Sequence, residues 1–148
     1  MEELLTKEYV LRHGVEFETS LEYGGPYGQG IVYVDHDGKE HLFTGLAYDL
    51  HPNGKLESYF YVDEGVKEGR YVEFYPSGAV ESIRTMHKSA SHGKQLEFYE
   101  NGGIREEFES FAGKRITYRL YDRNGQVTDE KAEWTESDRR FAEKWGKE

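Results

Sequence analysis

Three carboxylates, Asp49, Glu73 and Glu97, stand at the same place in a repeating pattern, each five residues before a glycine. If the repeats stack in register, these side chains form a row on one face of a sheet, with neighbours about 9–10 Å apart. The same face continues through one more residue of each repeat: His51, Tyr75 and Tyr99. An acidic row beside tyrosines suits a Lys- or Arg-rich protein surface, because tyrosine offers a large contact area at low entropic cost and carboxylates steer encounter. The alternative is that the row is only the solvated side of a one-layer sheet.

No pattern in the chain predicts catalysis or metal binding. There is no cysteine, and the six histidines form no HxH or HExxH pair. A Walker loop, a serine nucleophile elbow and a dinucleotide-binding glycine fingerprint are also absent from the sequence. Glu106 and Glu107 are adjacent on a predicted strand and point to opposite faces, which does not suit shared acid–base work. We therefore predict that the protein is not an enzyme and has no catalytic, cofactor-binding or metal-binding residues.

Asp35 and Asp37 belong to the acidic surface that we predict to face a partner. The segment from Asp35 to Gly38 resembles the beginning of a calcium loop, but it lacks the third oxygen ligand and the closing glutamate. A turn is the expected structure here. The glycine-rich segment 24–30 is not followed by the Lys-Ser/Thr pair of a phosphate loop, so we predict a flexible connection.

Short hairpins are the elements that must position the acidic row. Four copies of the pattern lie 24, 24 and 23 residues apart and end at Gly54, Gly78, Gly102 and Gly125. A poorer copy ends at Gly38 and breaks the period. A fixed period of this length indicates a repeat architecture, and period-2 alternation before an Asn-Gly or Ser-Gly pair predicts a β-hairpin. We predict a mainly β fold, an antiparallel meander of stacked hairpins of about 24 residues each with a short C-terminal α-helix.

The chain is predicted to form a single domain, 1–148, with three parts. They are N-terminal strands with an acidic segment (1–44), the hairpin repeats (45–128) and a C-terminal capping helix (129–148). In the first part, two strands are expected at Tyr9–Arg12 and Val15–Thr19.

The C-terminal helix is predicted from its start signal and its apolar stripe. Thr135 and Asp138 resemble a capping box, and Trp134, Phe141, Ala142 and Trp145 recur at helical spacing. We expect this helix to pack against one end or one face of the sheet, where it covers an edge that would otherwise invite association. A helix that binds a partner is the alternative.

The net charge of −10 is concentrated in the first half of the chain. Residues 1–68 carry a net charge of −9, residues 69–128 of +1 and residues 129–148 of −2. Such a field repels nucleic acid and anionic lipid and favours cationic partners, although it also serves solubility. Neither a signal peptide nor a long apolar run is visible, so we expect a cytoplasmic protein with no membrane association.

The segments EGRYVEFYPSGAVES and HGKQLEFYENGGIREE resemble the bacterial variant of the MORN repeat. The resemblance covers about residues 45–128 and is strongest over these two central copies. It implies a fold of hairpin repeats and no catalytic residues. Chains of this size built from such repeats resemble the antitoxin or immunity proteins of bacterial polymorphic toxin systems.

The function predicted from the acidic half and this resemblance is that of an immunity protein. It would bind and neutralise a cognate bacterial toxin with a basic surface, without a cofactor. The alternative from a different class is a scaffold module that binds several proteins and inhibits none. A third possibility is an enzyme whose site is assembled from Tyr, Asp and His side chains on the face of the sheet.

Overall fold

The structure is a computed structural model, and it describes residues 3–146. Three helices lie in this part of the chain: α1 (Lys7–His13), α2 (Phe17–Ser20) and α3 (Glu136–Trp145). The first strands are β1 (Val15–Glu16), β2 (Glu22–Gly24), β3 (Gly30–Val34), β4 (Glu40–Leu42), β5 (Gly45–Leu50), β6 (Leu56–Asp63) and β7 (Val66–Phe74). They are followed by β8 (Val80–His87), β9 (Ala90–Ser91), β10 (Gly93–Phe98), β11 (Ile104–Phe111), β12 (Lys114–Tyr121) and β13 (Val127–Lys131).

Most strands form one long sheet in the order β1-β5-β6-β7-β8-β10-β11-β12-β13, with β9 paired to β8. From β5 onward every pair is antiparallel, and only the two-residue strand β1 joins in parallel. Strands β2, β3 and β4 form a separate three-stranded sheet. The mainly β meander with a short C-terminal helix, predicted from the repeat, is therefore confirmed.

The turns of the predicted copies share one geometry. In the second copy Gly78 N donates to Tyr75 O at 2.9 Å and Tyr75 N donates to Ala79 O at 2.8 Å. The equivalent pair of bonds closes every copy, including the early one at Gly38 in the smaller sheet. The five turn glycines have φ between +81° and +98°, a region that only glycine enters without a Cβ clash. The irregular early copy is therefore a true hairpin turn, although it breaks the period.

The opposite ends of the hairpins are joined by a second series of backbone bonds. Gly65 N donates to Phe43 O at 2.8 Å, and Gly113 N donates to Ser91 O at 2.8 Å. Between them, Ser89 N donates to Lys67 O at 2.9 Å. These bonds recur with the 24-residue period, so the backbone itself connects each turn to the preceding unit.

The core of the fold lies at the N-terminal end of the long sheet, on both of its faces. On the first face, Val10 of α1 packs with Tyr59 and Val72, and the cluster extends through Ile83 to Phe98. On the second face, Leu21, Ile31 and Phe43 pack against a group from the long sheet: Ala47, Phe60 and Val62. Strands β5 to β7 are thus covered twice, by α1 on one side and by α2 with the smaller sheet on the other.

The N-terminal segment differs from the prediction. Tyr9–Arg12, expected to be a strand, lies inside α1, and Val15–Thr19 is a two-residue strand followed by the single turn of α2. Thr6 caps α1 because its hydroxyl accepts a hydrogen bond from Tyr9 N at 3.1 Å. The alternation of polar and apolar residues that predicted strands is short. The helix forms instead because the Thr6 cap and the burial of Val10 against the sheet stabilise it.

The C-terminal helix begins where the capping box predicted. Thr135 Oγ1 accepts from Asp138 N at 3.1 Å, and Asp138 Oδ2 accepts from Thr135 N at 2.8 Å. Asp138 is almost completely buried and also accepts from Lys131 Nζ at 2.7 Å, which holds its pKa well below the usual range. Lys114 Nζ lies over the Phe141 ring, 5.0 Å from its centroid. The helix is therefore anchored to β12 and β13 through charged groups as well as rings.

Within residues 3–146, no helix is long and apolar enough to cross a membrane.

Candidate functional site

The predicted acidic row exists as a line of cross-strand neighbours. In the register of the sheet, Asp49 lies opposite Ser58, which lies opposite Glu73. The line continues from Glu73 through Ser82 to Glu97. These residues lie on the second face, opposite the apolar cluster that contains Leu50, Phe74 and Phe98. The stacking in register that the sequence predicted is confirmed, and a serine separates each pair of carboxylates.

Two members of the row are neutralised by arginines. Arg84 lies between them, with Nε at 3.2 Å from Glu73 Oε1 and Nη2 at 3.0 Å from Glu97 Oε2. Arg105 Nη2 donates to Glu97 Oε1 at 2.6 Å. Burial alone would raise the pKa of Glu97, but the hydrogen bond from Arg105 and the charge of Arg84 together hold it below its usual value. This part of the row is a network of ion pairs and not an uncompensated acidic surface.

Asp49 differs from the other two members of the row. Among the described residues, no lysine or arginine forms an ion pair with it; its Oδ1 instead accepts a hydrogen bond from Glu18 N at 3.0 Å. This bond ties the beginning of α2 to strand β5. Burial raises the pKa of Asp49, and the charges of Glu57, Glu18 and Glu16 raise it further. The negative potential of the row is therefore concentrated at its N-terminal end.

A cleft of about 610 Å³ opens beside Asp49, between α2, strand β2 and the end of the first hairpin. Its acidic residues are Glu18, Glu22, Asp49 and Glu57, and its apolar residues are Phe17, Leu21, Tyr23 and Leu50. The rings of Phe17 and Tyr23 lie 5.4 Å apart, and about half of Tyr23 is exposed. We call this the acidic cleft. It combines carboxylates with aromatic surface, which is the composition that accommodates a lysine or arginine side chain.

The hydroxyl of Tyr71, next to the acidic cleft, is affected by the same carboxylates. Tyr71 lies across β6 from the cleft strands, stacked on Phe60 with ring centroids 4.9 Å apart. Burial raises the pKa of Tyr71 to about 12, and the charges of Glu73, Asp49 and Glu57 act in the same direction. Burial is the first cause of both shifts, and the neighbouring carboxylates act in the same direction, although Lys67 Nζ lies 4.9 Å from the centroid of the Tyr71 ring.

His51, Tyr75 and Tyr99 have a structural role that the sequence did not reveal. The Tyr75 hydroxyl donates to Phe98 O at 2.6 Å, and the Tyr99 hydroxyl donates to Tyr121 O at 2.7 Å. His51 Nε2 lies 2.8 Å from Phe74 O, the equivalent carbonyl of the next hairpin. Each of these side chains thus joins one repeat to the next. Their contact with a binding partner stays a prediction. Their polar atoms already contact backbone carbonyls of the next repeat.

Asp35 and Asp37 lie in the turn of the smaller sheet. Asp35 Oδ1 accepts from Asp37 N at 2.9 Å and from Lys39 N at 3.0 Å, so its side chain closes the turn. Its other oxygen lies 2.7 Å from His41 Nε2, and this hydrogen bond is the main cause that lowers the pKa of Asp35. The predicted turn is confirmed, and Asp35 is engaged within it. Asp37 remains exposed, with its carboxylate 3.6 Å from His36.

The sequence missed the four residues that make the acidic cleft distinct: Phe17, Glu18, Glu22 and Glu57. Glu57 is the extra residue of a β-bulge opposite Asp49 and Leu50. The others come from α2 and β2, outside the repeat, and are brought to Asp49 by the chain reversal after β1. The concentration of acidic residues before residue 69 was the available signal, but it does not identify which of them meet.

A groove of about 320 Å³ on the C-terminal strands has a different character. Its walls carry both signs of charge: Lys94, Glu107, Arg119 and Glu130. Arg119 Nε lies 2.6 Å from Glu130 Oε2, so its cation and anion already satisfy each other. Across residues 3–146, no group of three His, Asp or Glu side chains is arranged to hold a metal ion.

Comparison with known protein families gives one result. Residues 67–88 and 91–110 match the MORN repeat variant. The match falls on strands β7 to β11, where Tyr75 and Tyr99 connect successive hairpins. Repeats of this family suggest a protein-binding module and are generally not enzymatic. Neither curated proteins nor solved structures give a match.

Proposed function

We propose that the protein is a bacterial immunity protein, acting in the cytoplasm, that binds a cognate toxin through the acidic cleft and thereby neutralises it. The observation that carries this proposal is the group of carboxylates around Asp49, which form no ion pair with an arginine or lysine among the described residues, although Glu57 Oε2 lies 3.6 Å from His51 Nδ1. The match of the central hairpins to a protein-binding repeat supports a role in binding. The antitoxin assignment itself comes from the sequence resemblance.

The charge of the cleft favours a cationic partner. Bringing a lysine or arginine next to Asp49 and Glu57 would relieve the repulsion that raises the pKa of Asp49. Glu57 is about half exposed, so an incoming side chain reaches it without rearrangement of the sheet. Complementary charge would also speed encounter, in a manner that salt suppresses.

The aromatic part of the cleft favours an inserted side chain over a loose electrostatic encounter. The exposed ring of Tyr23 beside Phe17 offers apolar surface to the methylene groups of lysine or to the plane of a guanidinium. Interfaces commonly depend on a few such residues, with tyrosine and arginine prominent among them. We therefore expect an arginine or lysine of the toxin to occupy the cleft as an anchor.

The test begins with a tagged full-length chain expressed in its native host and with identification of the protein that co-purifies with it. The purified pair is then titrated by calorimetry at low and high salt. Two variants, Glu22→Lys and Glu57→Lys, reverse charge in the cleft; Glu133→Lys makes the same change at an exposed site before α3. Each cleft variant is expected to weaken binding by about tenfold or more, whereas the control changes it by less than about twofold.

Protection of cells completes the test. The wild-type chain and the Glu133→Lys control should rescue cells that express the partner, and the Glu22→Lys, Glu57→Lys double variant should not. The proposal fails if the cleft variants bind as tightly as the control. It also fails if the partner is not toxic or keeps its activity in the complex.

A scaffold that binds several proteins without inhibiting them is the second candidate. It is favoured by the extent of strands β10 to β13, where partly exposed side chains lie on both faces. This function predicts several co-purifying partners. Their affinities should depend on residues of the groove on the C-terminal strands, such as Arg119, and not on Glu57. The same purification and the same charge reversals therefore distinguish the two functions.

A further inference from the structure

Three asparagines precede a turn glycine at equivalent places in the repeats: Asn53, Asn101 and Asn124. In an Asn-Gly pair the glycine nitrogen can attack the asparagine side chain, because no glycine side chain hinders its approach. The fold gives the three pairs the same backbone turn but different side-chain surroundings. They therefore form an internal series in which only the local restraints differ.

The asparagine side chains are held to different degrees. Asn53 Oδ1 accepts from Lys55 N at 2.9 Å, and its Nδ2 donates to Pro76 O of the next hairpin at 2.8 Å. Asn101 has one such bond, in which Oδ1 accepts from Gly103 N at 2.9 Å. For Asn124, the structure of residues 3–146 contains no hydrogen bond to the side-chain amide. The turn at Asn124 is closed instead by Asp122, whose carboxylate accepts from Asn124 N and Gln126 N.

Each glycine amide donates one backbone hydrogen bond of ordinary length: Gly54 N to His51 O at 2.8 Å, Gly102 N to Tyr99 O at 3.0 Å and Gly125 N to Asp122 O at 3.1 Å. The attacking nitrogen must leave this bond and lose its proton in all three hairpins. The difference between the sites therefore lies in the asparagine side chain, which is least restrained in the last hairpin.

We propose that Asn124 is a site of spontaneous deamidation in the folded protein and that the repeat stack protects Asn53 from the same reaction. Solvent base takes the proton of Gly125 N, and the nitrogen then bonds to Cγ of Asn124. The Cγ–Nδ2 bond breaks, and the side-chain nitrogen leaves as ammonia after taking a proton from water. Water opens the cyclic imide at either carbonyl, which leaves aspartate or isoaspartate and one more negative charge.

The consequence of the reaction is local to the end of the sheet. Isoaspartate places an additional methylene in the backbone of the turn that joins β12 to β13, and this disturbs the two bonds that Asp122 accepts. Among the described strands, β13 pairs only with β12, and its Lys131 donates a hydrogen bond to Asp138 of α3. The modification therefore weakens the docking of α3 and leaves the stack from β5 to β11 in place. It does not depend on any partner.

The experiment incubates the purified full-length chain at mildly alkaline pH, in native buffer and in denaturant. Peptide mapping by mass spectrometry follows the conversion of each asparagine, and isoaspartyl methyltransferase labelling reports the isoaspartate product. In denaturant only the local sequence acts, so the three sites should react at comparable rates. In native buffer, Asn124 should react first and Asn53 last, with Asn53 slower than Asn124 by about thirtyfold, as two additional side-chain hydrogen bonds imply.

The variant Asn124→Gln provides the control, because the longer side chain closes an imide far more slowly. It should abolish early isoaspartate formation while leaving the thermal unfolding of the sheet unchanged. The proposal is overturned if Asn53 reacts as fast as Asn124 in native buffer. It is also overturned if Asn101 or Asn53 is converted while Asn124 stays intact.

Discussion

Strands β5 to β7 lie between two packed layers, whereas strands β10 to β12 have partly exposed side chains on both faces. We refer to residues 4–74 as the covered region and to residues 93–131 as the open region. Both use the same hairpin, with the same turn bonds and a β-bulge beside the turn. The comparison shows that one repeat unit can be stabilised either by apolar burial from outside the repeat or by contacts between repeats.

Charge follows the same division. In the open region, carboxylates pair with arginines across neighbouring strands, as Glu97 does with Arg105 and Glu130 with Arg119. In the covered region, the carboxylates around Asp49 have no such partners among the described residues. Apolar burial stabilises the covered region strongly enough to tolerate this repulsion. The carboxylates of the acidic cleft thus lie in the part of the molecule that has the most apolar burial.

The largest expected difference between the regions concerns buried aromatic surface. Tyr59 is about 1% exposed, packs with Val10 and accepts a hydrogen bond from Leu5 N. Tyr59→Ala should lower the free energy of unfolding by about 3–5 kcal/mol, because a large cavity forms below α1. Tyr118→Ala in the open region removes a partly exposed ring and should cost about 1 kcal/mol. Urea denaturation measures both, and equal costs would contradict the division into covered and open regions.

The ion-pair network should contribute next. Glu97→Gln removes the charge that meets Arg84 and Arg105 and is expected to cost about 1–2 kcal/mol at neutral pH. The folded pKa of Glu97 lies below its usual value of 4.5, so its stabilisation is complete above that value and is lost as the pH falls through the folded pKa. The variant and the wild type should therefore converge in acid, as followed by urea midpoints. Glu100→Gln, at an exposed turn position, is the control and should be neutral.

The bonds between repeats should have a smaller effect. Tyr75→Phe and Tyr99→Phe each remove one hydroxyl that donates to a backbone carbonyl of the next hairpin, and each should cost about 1 kcal/mol. Tyr118→Phe is the matched control, since among the described residues its hydroxyl has no hydrogen-bond partner. If the three variants have the same stability in thermal unfolding, the hydroxyls do not hold the repeats together.

The smallest effect, with the opposite sign, is expected at Asp49. Asp49→Asn keeps an oxygen for Glu18 N and removes repulsion with Glu57, so it should stabilise the protein by up to about 0.5 kcal/mol at neutral pH. The folded pKa of Asp49 is raised, and wild-type stability should therefore rise as the pH falls through that pKa. The gain from Asp49→Asn should disappear over the same range. A loss of stability at neutral pH would show that the carboxylate is balanced after all.

The repeat was predictable because its signals are local. Alternating residues, a turn glycine and a constant spacing are enough to specify a hairpin and its register with the next one, and the row from Asp49 to Glu97 followed from that register. The capping box at Thr135 is equally local, and the helix begins there. The prediction for the segment from Tyr9 to Thr19 was wrong because its structure depends on burying Val10 against strands of the hairpin repeats, which begin more than thirty residues later.

The candidate site was predicted only in part for the same reason. Alignment of the repeats identified Asp49, Glu73 and Glu97 as equivalent, but it gave no reason to separate them. The separation comes from Arg84 and Arg105, which neutralise two of the three, and from α2, which brings Glu18 to the third. Likewise, the tyrosines were correctly placed in the repeat, while their bonds to the next hairpin could be seen only in the folded chain.

The sequence by itself determined the hairpin, its period, the sheet that the hairpins build and the excess of acidic residues in the first half of the chain. The hairpin and its period depend on residues that are close in sequence, and the acidic excess is a count of charged residues. The tertiary structure alone decided which carboxylates keep their charge unbalanced, because the potential at Asp49 depends on side chains that are distant in sequence and close in space. It also decided which asparagine is exposed to attack, since the restraint on Asn53 comes from a carbonyl of the next repeat.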